Sequence, residues 1–302
     1  KKVQCLSSSS RGSGSETKTK IQAIQELRQE FDLALLLSYS KVARSTYYYH
    51  DQSEQKDKYS TLKVLIKRIY DKHRGRYGYR RITAELCKKG QIINHKTVLK
   101  IMKILELKSL IRRKKYKSYK GEQGKIAPNI LERAFKAPAP QQKWATDVTE
   151  FKVKDKKLYL SPVMDLYNQE IISYELSERP NFKQVTVMLK KAFRTLKAGA
   201  NLIFHSDQGW QYQMKQYQLM LKQKGITQSM SRKGNCLDNA VMENFFGTLK
   251  SELYYIQNFN SVDHLKRAIK EYIKYYNNER IKSNLNKMSP VEYRTHYYKS
   301  LN

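Results

Sequence analysis

Acidic side chains are scarce in this sequence: 27 Asp and Glu stand against 59 Lys and Arg in 302 residues, a net charge of +32. So large a positive field draws polyanions from a distance and exceeds what solubility asks for, which puts nucleic acid first among partners. Long apolar runs are missing as well. The stretch Leu33 to Leu37 is far short of the roughly 18 residues of a spanning helix. No basic amphipathic helix with a broad apolar face is present, so a membrane is not expected as a partner. Cysteine is nearly absent. Cys5, Cys87 and Cys236 are odd in number and far apart, with no pair at zinc or redox spacing, and they read as reduced thiols of a cytosolic protein. Residues 1–20 lack the apolar stretch of a secretory signal. A start on Lys rather than Met is what a piece of a longer translation product would show.

What is present suggests about two domains at this length. Residues 1–20 are expected to be a flexible linker, because SSSSRGSGS (Ser7 to Ser15) is rich in Ser and Gly. Residues 21–60 are expected to be helical, with the makings of a helix-turn-helix. Ile24, Leu27, Phe31 and Leu35 recur at helical steps and predict one helix over 21–37, followed by a second from near Ser38 or Ser40.

Residues 61–120 read as a basic, helix-turn-helix-like DNA-binding region. Leu62, Leu65, Ile66, Ile69 and Tyr70 form a stripe that ends before Gly75 and Gly78; a helix over 81–89 stops at Gly90; and Asn94 is placed to cap a helix buried through Val98, Ile101, Met102 and Leu105. This window holds 20 Lys and Arg against Asp71, Glu85 and Glu106, more than half of the whole excess. A charge run on one helix is as often a solvated surface. Here it accompanies two helices and interleaved aromatics (Tyr77, Tyr79, Tyr116, Tyr119), which suits a helix in a DNA groove with phosphate clamps beside it. Candidate DNA contacts are Arg80, Arg81, His95, Lys96, Lys100 and Lys103.

Residues 121–142 lose periodicity and gain Pro128, Pro138 and Pro140, so they are expected to be a linker. From 143 the pattern changes to short β-branched and aromatic segments. Strands are predicted over 143–153, 157–166 and 169–176, then a helix over 182–197, a strand over 201–205, a helix over 212–224, a strand over 226–230 and a last core helix. The fold class expected is α/β, a catalytic core over 143–256 with a mixed five-stranded sheet, preceded by the all-helical region and followed by a helical extension over 257–302.

Three acids in this core invite a chemical reading. Asp147 lies inside the first strand in WATDVTEF, Asp207 just after the strand LIF in HSDQGWQY, where Gly209 would permit a tight turn, and Glu243 on the last helix, off the stripe Val241, Phe245, Leu249 and Leu253. Singly, each has an ordinary explanation: a buried ion-pair partner, a turn former, an exposed helix residue. Together they suit phosphodiester chemistry. Two metal ions roughly 4 Å apart activate the attacking oxygen and stabilise the leaving one, and hard ions such as Mg²⁺ need carboxylates converging from separate elements. His205 and Asp165 are further residues near such a site, expected to be structural. Trp210 and Tyr212 are expected to pack in the core, with base stacking as the lesser option.

In order along the chain, WATDVTEF, YLSPVMDLY, FHSDQGWQY, SMSRKGNCLDNAVMENFFGTLKSEL and YYNNERIKSNLNKMSPVEY closely resemble the second-frame (OrfB) transposases of the IS-three insertion-sequence family. YGYRRI and INHKTVLKIM resemble that family's helix-turn-helix stretch, and the resemblance covers about residues 21–297. It implies a ribonuclease-H-like core similar to retroviral integrases, with an Asp, Asp, Glu triad falling on Asp147, Asp207 and Glu243. The last two have 35 residues between them, as the family does. It implies metal held by those three acids, Mg²⁺ with Mn²⁺ as substitute, and no zinc, since the His/Cys module of retroviral integrases is missing. It implies cleavage at the element's ends and strand transfer into target DNA by a homo-oligomer in a synaptic complex, in a bacterial cytoplasm at the nucleoid. An upstream-frame product, fused by frameshifting, is an implied partner. Arg232, Lys233 and Lys250 are candidates to hold the DNA end beside the triad. The rival readings are a nuclease of the same core that cuts without joining and a DNA-binding regulator whose triad no longer works.

Overall fold

The computed structural model describes residues 14–55, 59–110, 126–197 and 201–301. Of the flexible linker expected over 1–20, residues 1–13 lie outside the described residues, and 14–20 are not a linker but the opening of the first helix. The chain divides into two compact units, residues 1–68 and 69–302.

In the first unit the single helix expected over 21–37 is two helices. Helix α1 (Gly14–Leu27) ends before a turn, and Asp32 then caps α2 (Leu33–Ser40), its carboxylate accepting from Ala34 N at 3.0 Å. That cap satisfies a donor which a continuous helix would have bonded internally. The break turns the apolar stripe as well. Ile21, Ile24, Leu27, Leu36, Leu37, Val42 and Tyr47 make the small core, whereas Phe31 and Leu35 are 47% and 62% exposed. Helix α3 (Arg44–Gln55) carries Tyr47, and the division between units falls within α4 (Ser60–Lys72).

The second unit opens with the expected helix pair, α5 (Tyr79–Lys88) and α6 (His95–Ile104). Gly90 makes the turn in the left-handed region (φ +78°), which side chains disfavour. Asn94 caps α6 through Lys96 N at 2.8 Å. Ile82, Ala84 and Leu86 are buried on α5, and Val98, Ile101 and Met102 on α6.

The sheet has six strands: β1 (Lys143–Thr146), β2 (Thr149–Val153), β3 (Lys156–Asp165), β4 (Glu170–Ser177), β5 (Ile203–Ser206) and β6 (Thr227–Met230). The expected first strand over 143–153 is thus two pieces. Both pair antiparallel with β3 in one register, Thr146 opposite Val163 and Thr149 opposite Leu160, so Asp147 falls opposite Pro162. Proline has no N–H to give the ladder, and the strand is interrupted there. On the other side of β1, β5 runs parallel, and β6 runs parallel to β5. The mixed sheet therefore has the expected α/β character.

Side chains alternate across it. Trp144, Val163, Phe204 and Met230 join one apolar layer with α7 (Phe182–Phe193), α8 (Trp210–Gln213) and α9 (Lys215–Gln223). Ala145, Phe151, Leu158, Leu160 and Met164 join the other, under α10 (Ala240–Leu249) and α11 (Val262–Asn278). On α10 the buried positions are Met242, Phe245, Phe246 and Leu249; Val241, expected on that stripe, is partly buried. A π-helical turn, Lys250–Tyr254, follows α10 directly.

Segments expected to be accessory are tied to this core. Over 126–142, Leu131 is buried, and Ile130 N and Leu131 N donate to Ser229 Oγ at 3.0 and 3.1 Å. Asn277 of α11 exchanges two hydrogen bonds with the Ile171 backbone on edge strand β4, which blunts that edge. Helix α12 (Pro290–Lys299) opens on a Ser289/Glu292 capping box, and its Arg294 holds Glu170 at 2.6 Å.

Candidate active site

Parallel pairing of β1 and β5 sets Lys143 opposite Ile203, Trp144 opposite Phe204 and Ala145 opposite His205. Continued two residues, the same register sets Asp147 opposite Asp207, at the carboxyl ends of neighbouring strands. Neighbouring strands lie about 4.8 Å apart, and strand ends of this kind are where α/β sheets gather functional groups.

Each carboxylate is anchored by one oxygen. Asp147 Oδ1 accepts from Val148 N at 2.7 Å, and Asp207 Oδ1 from Gly209 N at 2.9 Å. Among the described residues neither second oxygen has a protein hydrogen-bond donor. Gly209 has an ordinary φ of −57°, so its absence of a side chain answers to closeness instead of turn geometry: a Cβ there would stand 2.5 Å from the Gln211 side-chain amide and 3.0 Å from Asp207 Oδ1. Burial pushes the Asp147 carboxyl well above its ordinary range, and the neighbouring Asp207 and Glu243 push it further; Val148 N–H and Lys250 oppose this. Asp207 is raised by burial, against its Gly209 hydrogen bond, and Glu243 is raised by burial.

Glu243 is half-buried in the first turn of α10, within the electrostatic reach of Asp147. Among the described residues, no three His, Cys, Asp or Glu side chains stand close enough to hold one ion together. The arrangement is therefore an acid pair with Glu243 adjoining it. Lys250, partly buried, has Nζ 5.4 Å from the Phe151 ring centroid; burial lowers its pKa, while Glu150 and Asp147 raise it.

The remaining candidates divide. His95, Lys96, Lys100 and Lys103 are exposed on α6, and Arg80 is exposed on α5 with its guanidinium over Tyr79. His95 stacks on the same Tyr79 at 6.0 Å. Arg81 is instead engaged internally, its NH1 3.3 Å from buried Glu252 and its guanidinium over Tyr77. Arg232 forks onto Asp238 with two contacts of 2.9 Å, although 59% of its side chain stays exposed. Lys233 is exposed.

His205 and Asp165 are both buried and hydrogen-bonded within the core. Three donors, Gln141 N, Tyr167 N and Trp144 Nε1, surround the Asp165 carboxylate, whose pKa burial raises to about 6. His205 Nδ1 is 2.9 Å from Ser229 Oγ, and burial lowers its pKa to about 4. Tyr212 is fully buried, but Trp210, expected in the core, is 51% exposed three residues after Asp207.

Sequence reasoning missed two groups that hold the site in place. The first is Asp238, fully buried just ahead of α10. It accepts from Arg133 Nε, Asn129 Nδ2 and three donors of Arg232, and these cations hold its carboxyl far below the usual range. The second is Glu252, on the π-helical turn. It accepts from Arg280 at 2.9 and 2.7 Å, from Tyr272 OH at 2.9 Å and from Arg81, while Arg76 Nε donates to its backbone carbonyl at 3.1 Å. The helix pair carrying the exposed lysines is thereby fastened to the turn that ends the Glu243 helix. A signal was present for each: Asp238 opens the run to Glu243, and Glu252 falls between the buried positions Leu249 and Leu253, where a solvated acid has no place.

Comparison with known proteins agrees with this architecture. Family models described as "Integrase core domain" match residues 137–236 and 243–298, and one described as "HTH-like domain" matches 57–115. InsK of Escherichia coli (strain K12), named as a transposase for insertion sequence element IS150, is 53% identical over 92% of this chain and 99% of its own length. The transposase for insertion sequence element IS904 of Lactococcus lactis is 37% identical over 80% of this chain and 96% of its own. InsF, the transposase for IS3A of E. coli, is 32% identical over 89% and 96%. A solved HTLV-2 integrase catalytic core overlaps 52% of this chain and 98% of its own at a TM-score of 0.42 and 18% identity, a likeness too distant to bear on function. With relatives this similar along nearly the whole chain, the protein belongs to the insertion-sequence transposases of the IS-three family, polynucleotidyl transferases with an integrase core.

Proposed function

We propose that this chain cleaves DNA at the ends of its insertion element and joins the freed 3′-hydroxyl to target DNA, using divalent cations held by Asp147, Asp207 and Glu243. The observation that carries this reading is the Asp147–Asp207 pair, two half-buried carboxylates at the carboxyl ends of adjacent strands, each with one oxygen anchored by backbone and the other without a hydrogen-bond donor among the described residues. Their donor set fits the group. Burial, then the charge of Asp207, raises the Asp147 pKa; like charges so placed call for a cation, and an all-oxygen set suits Mg²⁺, with Mn²⁺ as a substitute. Glu243, adjoining the pair on α10, would supply the third carboxylate to a bound cation. When present, the ions would lower the pKa of water and stabilise charge on the phosphate.

The chain's own groups do the rest. Asp147 and Asp207 stay anchored by Val148 N–H and Gly209 N–H, so neither carboxylate swings away as it ionises. Lys250, beside Asp147, holds a DNA phosphate near the acids, with Lys233 and the exposed part of Arg232 further along. The exposed face of α6 lies on duplex DNA through Lys96, Lys100, Lys103 and His95, with Arg80 flanking. A second copy of the chain supplies the other element end, and an upstream-frame product assists end recognition.

Incubating labelled element-end DNA with the protein and Mg²⁺ should yield joined products. Cleavage without joining would point to a nuclease, and binding without chemistry to a regulator. Lys100→Ala and Lys103→Ala should each flatten the log-log salt dependence of DNA binding, measured by fluorescence anisotropy, by about 0.9. Arg81→Ala should leave that slope unchanged and lower stability instead, since its charge is spent on Glu252. Unchanged slopes in both lysine variants would remove α6 from the DNA interface.

A further inference from the structure

Asn239 closes a short 3₁₀ turn, Cys236–Asn239, and as the N-cap of α10 it precedes Glu243 by four residues. Only 4% exposed, it donates from Nδ2 to the carbonyl of Thr146 at 3.3 Å, the residue preceding Asp147. That contact fixes which end of the amide faces the strand, and Oδ1, on the same planar group, stays beside the Thr146–Asp147 peptide. Oδ1 is buried and has no hydrogen-bond partner. A buried acceptor left in that state costs about 1–3 kcal/mol, and an asparagine repays this cost if a donor arrives during function.

The other buried polar atoms without partners among the described residues lie elsewhere: both His73 ring nitrogens and Tyr275 OH, His205 Nε2 and Ser161 Oγ on inner strands, Asn168 Oδ1 in the turn between β3 and β4, and Tyr217 OH on α9. Of all such atoms among the described residues, Asn239 Oδ1 alone belongs to a side chain bonded to the residue before Asp147. Its position is also held from behind. The adjacent Asp238 is clamped by Arg133, Arg232 and Asn129, so the backbone that aims Asn239 has little freedom. Groups locked in this way are what an oriented reaction centre needs.

We propose that Asn239 positions the nucleophile, its Oδ1 accepting the hydrogen bond of the O–H that attacks phosphorus. The donor is water in cleavage and the DNA 3′-hydroxyl in joining. This inference rests on the strand-cleavage reading above. In either step the attacking oxygen forms a bond to phosphorus and the bond from phosphorus to the leaving O3′ breaks. The nucleophile's proton passes to solvent, and the departing O3′ takes one from solvent. The amide is neutral throughout: it orients the O–H and takes no proton.

A nucleophile-orienting group leaves a mark that a merely structural group does not. When glycerol is added to the cleavage reaction, water and the alcohol compete for the same phosphorus, and the ratio of glycerol adduct to hydrolysed end reports how the site selects between them. Asn239→Leu and Asn239→Ala should bind end DNA within about twofold of the native protein, lose about 10- to 100-fold in kcat, and shift that product ratio at least about threefold. Should the leucine variant fail to fold, the ratio given by the alanine variant decides, because alanine only leaves space. A lowered rate with the native product ratio, or a native rate, would overturn the proposal. Asp207→Asn run in parallel separates the two ideas: activity in that variant removes the carboxylate reading itself, whereas its inactivity beside native ratios in both Asn239 variants removes only the role of Asn239.

Discussion

Asparagine in place of Asp147 should stop cleavage and joining, by at least about a thousandfold, and should at the same time make the metal-free protein more stable near neutral pH. The side chain keeps its shape, and its amide oxygen can still accept from Val148 N. What disappears is a half-buried, poorly solvated charge beside Asp207 and Glu243. The sign follows from linkage. A carboxyl whose folded pKa lies above its unfolded value, near 3.8, lends stability that is complete below that value and is lost as pH rises through the folded pKa. Above that point the native protein bears the cost of ionising Asp147, and the variant does not.

Thermal melting of the metal-free proteins should therefore show the native Tm falling as pH is raised from about 4 to about 7 and the variant's falling less, a difference of a few degrees. Mg²⁺ should raise the native Tm and leave that of the variant nearly unmoved. Strand transfer by the variant, or a melting point below native at neutral pH, would refute the assignment. Stability given up at a site for the sake of its chemistry is a common exchange.

The second large effect lies away from the acids. Glu252→Ala should cost about 3–5 kcal/mol in a urea titration, the usual result of stranding one partner of a buried ion pair. Glu252 is 1% exposed, and its partner Arg280 has a side chain only 8% exposed, with Tyr272 and Arg81 sharing the same carboxylate. Replacing both partners by apolar residues, Glu252→Leu with Arg280→Met, should recover most of the loss, because neither charge is then left behind. Burial alone would raise the Glu252 pKa, yet the Arg280 hydrogen bonds and charge, with Arg81 and Tyr272, hold it below its ordinary value. Its contribution is thus present above about pH 4.5 and lost as pH falls through the lower folded pKa, so the native protein should lose this share of its stability only on the acid side. A loss under about 1 kcal/mol for Glu252→Ala would show that the cluster is not what fastens α5 to the turn after α10.

Much of the architecture was legible from patterns a few residues long. Short β-branched and aromatic segments between 143 and 176 marked strands, Gly90 and Asn94 marked the turn and cap of the helix pair, and the ordered motifs marked the family. Patterns of this range misjudged particular places for identifiable reasons. The stripe Ile24, Leu27, Phe31, Leu35 fits one helix, but Asp32 offered a better cap than a helix interior could, and the chain turned. Arg81 looked like its neighbour Arg80, and only the position of Glu252, 171 residues away, distinguishes them. Trp210 looked like a core residue because it is large and apolar, while the short helix it begins leaves it half in solvent.

What the sequence by itself determined is therefore the class of the protein: its excess of positive charge, its order of strands and helices, and the three acids in their motifs, all of which depend on composition or on spacing along the chain. Only the tertiary structure decided which acids share a field, which arginines are engaged internally, and that the Asn239 side chain is held on the carbonyl of Thr146, the residue before Asp147. Those are facts about distance between residues remote in sequence. They depend on the register of β1 against β5 and on the packing of α5 against the turn after α10, and each is fixed by many weak contacts that no short motif records.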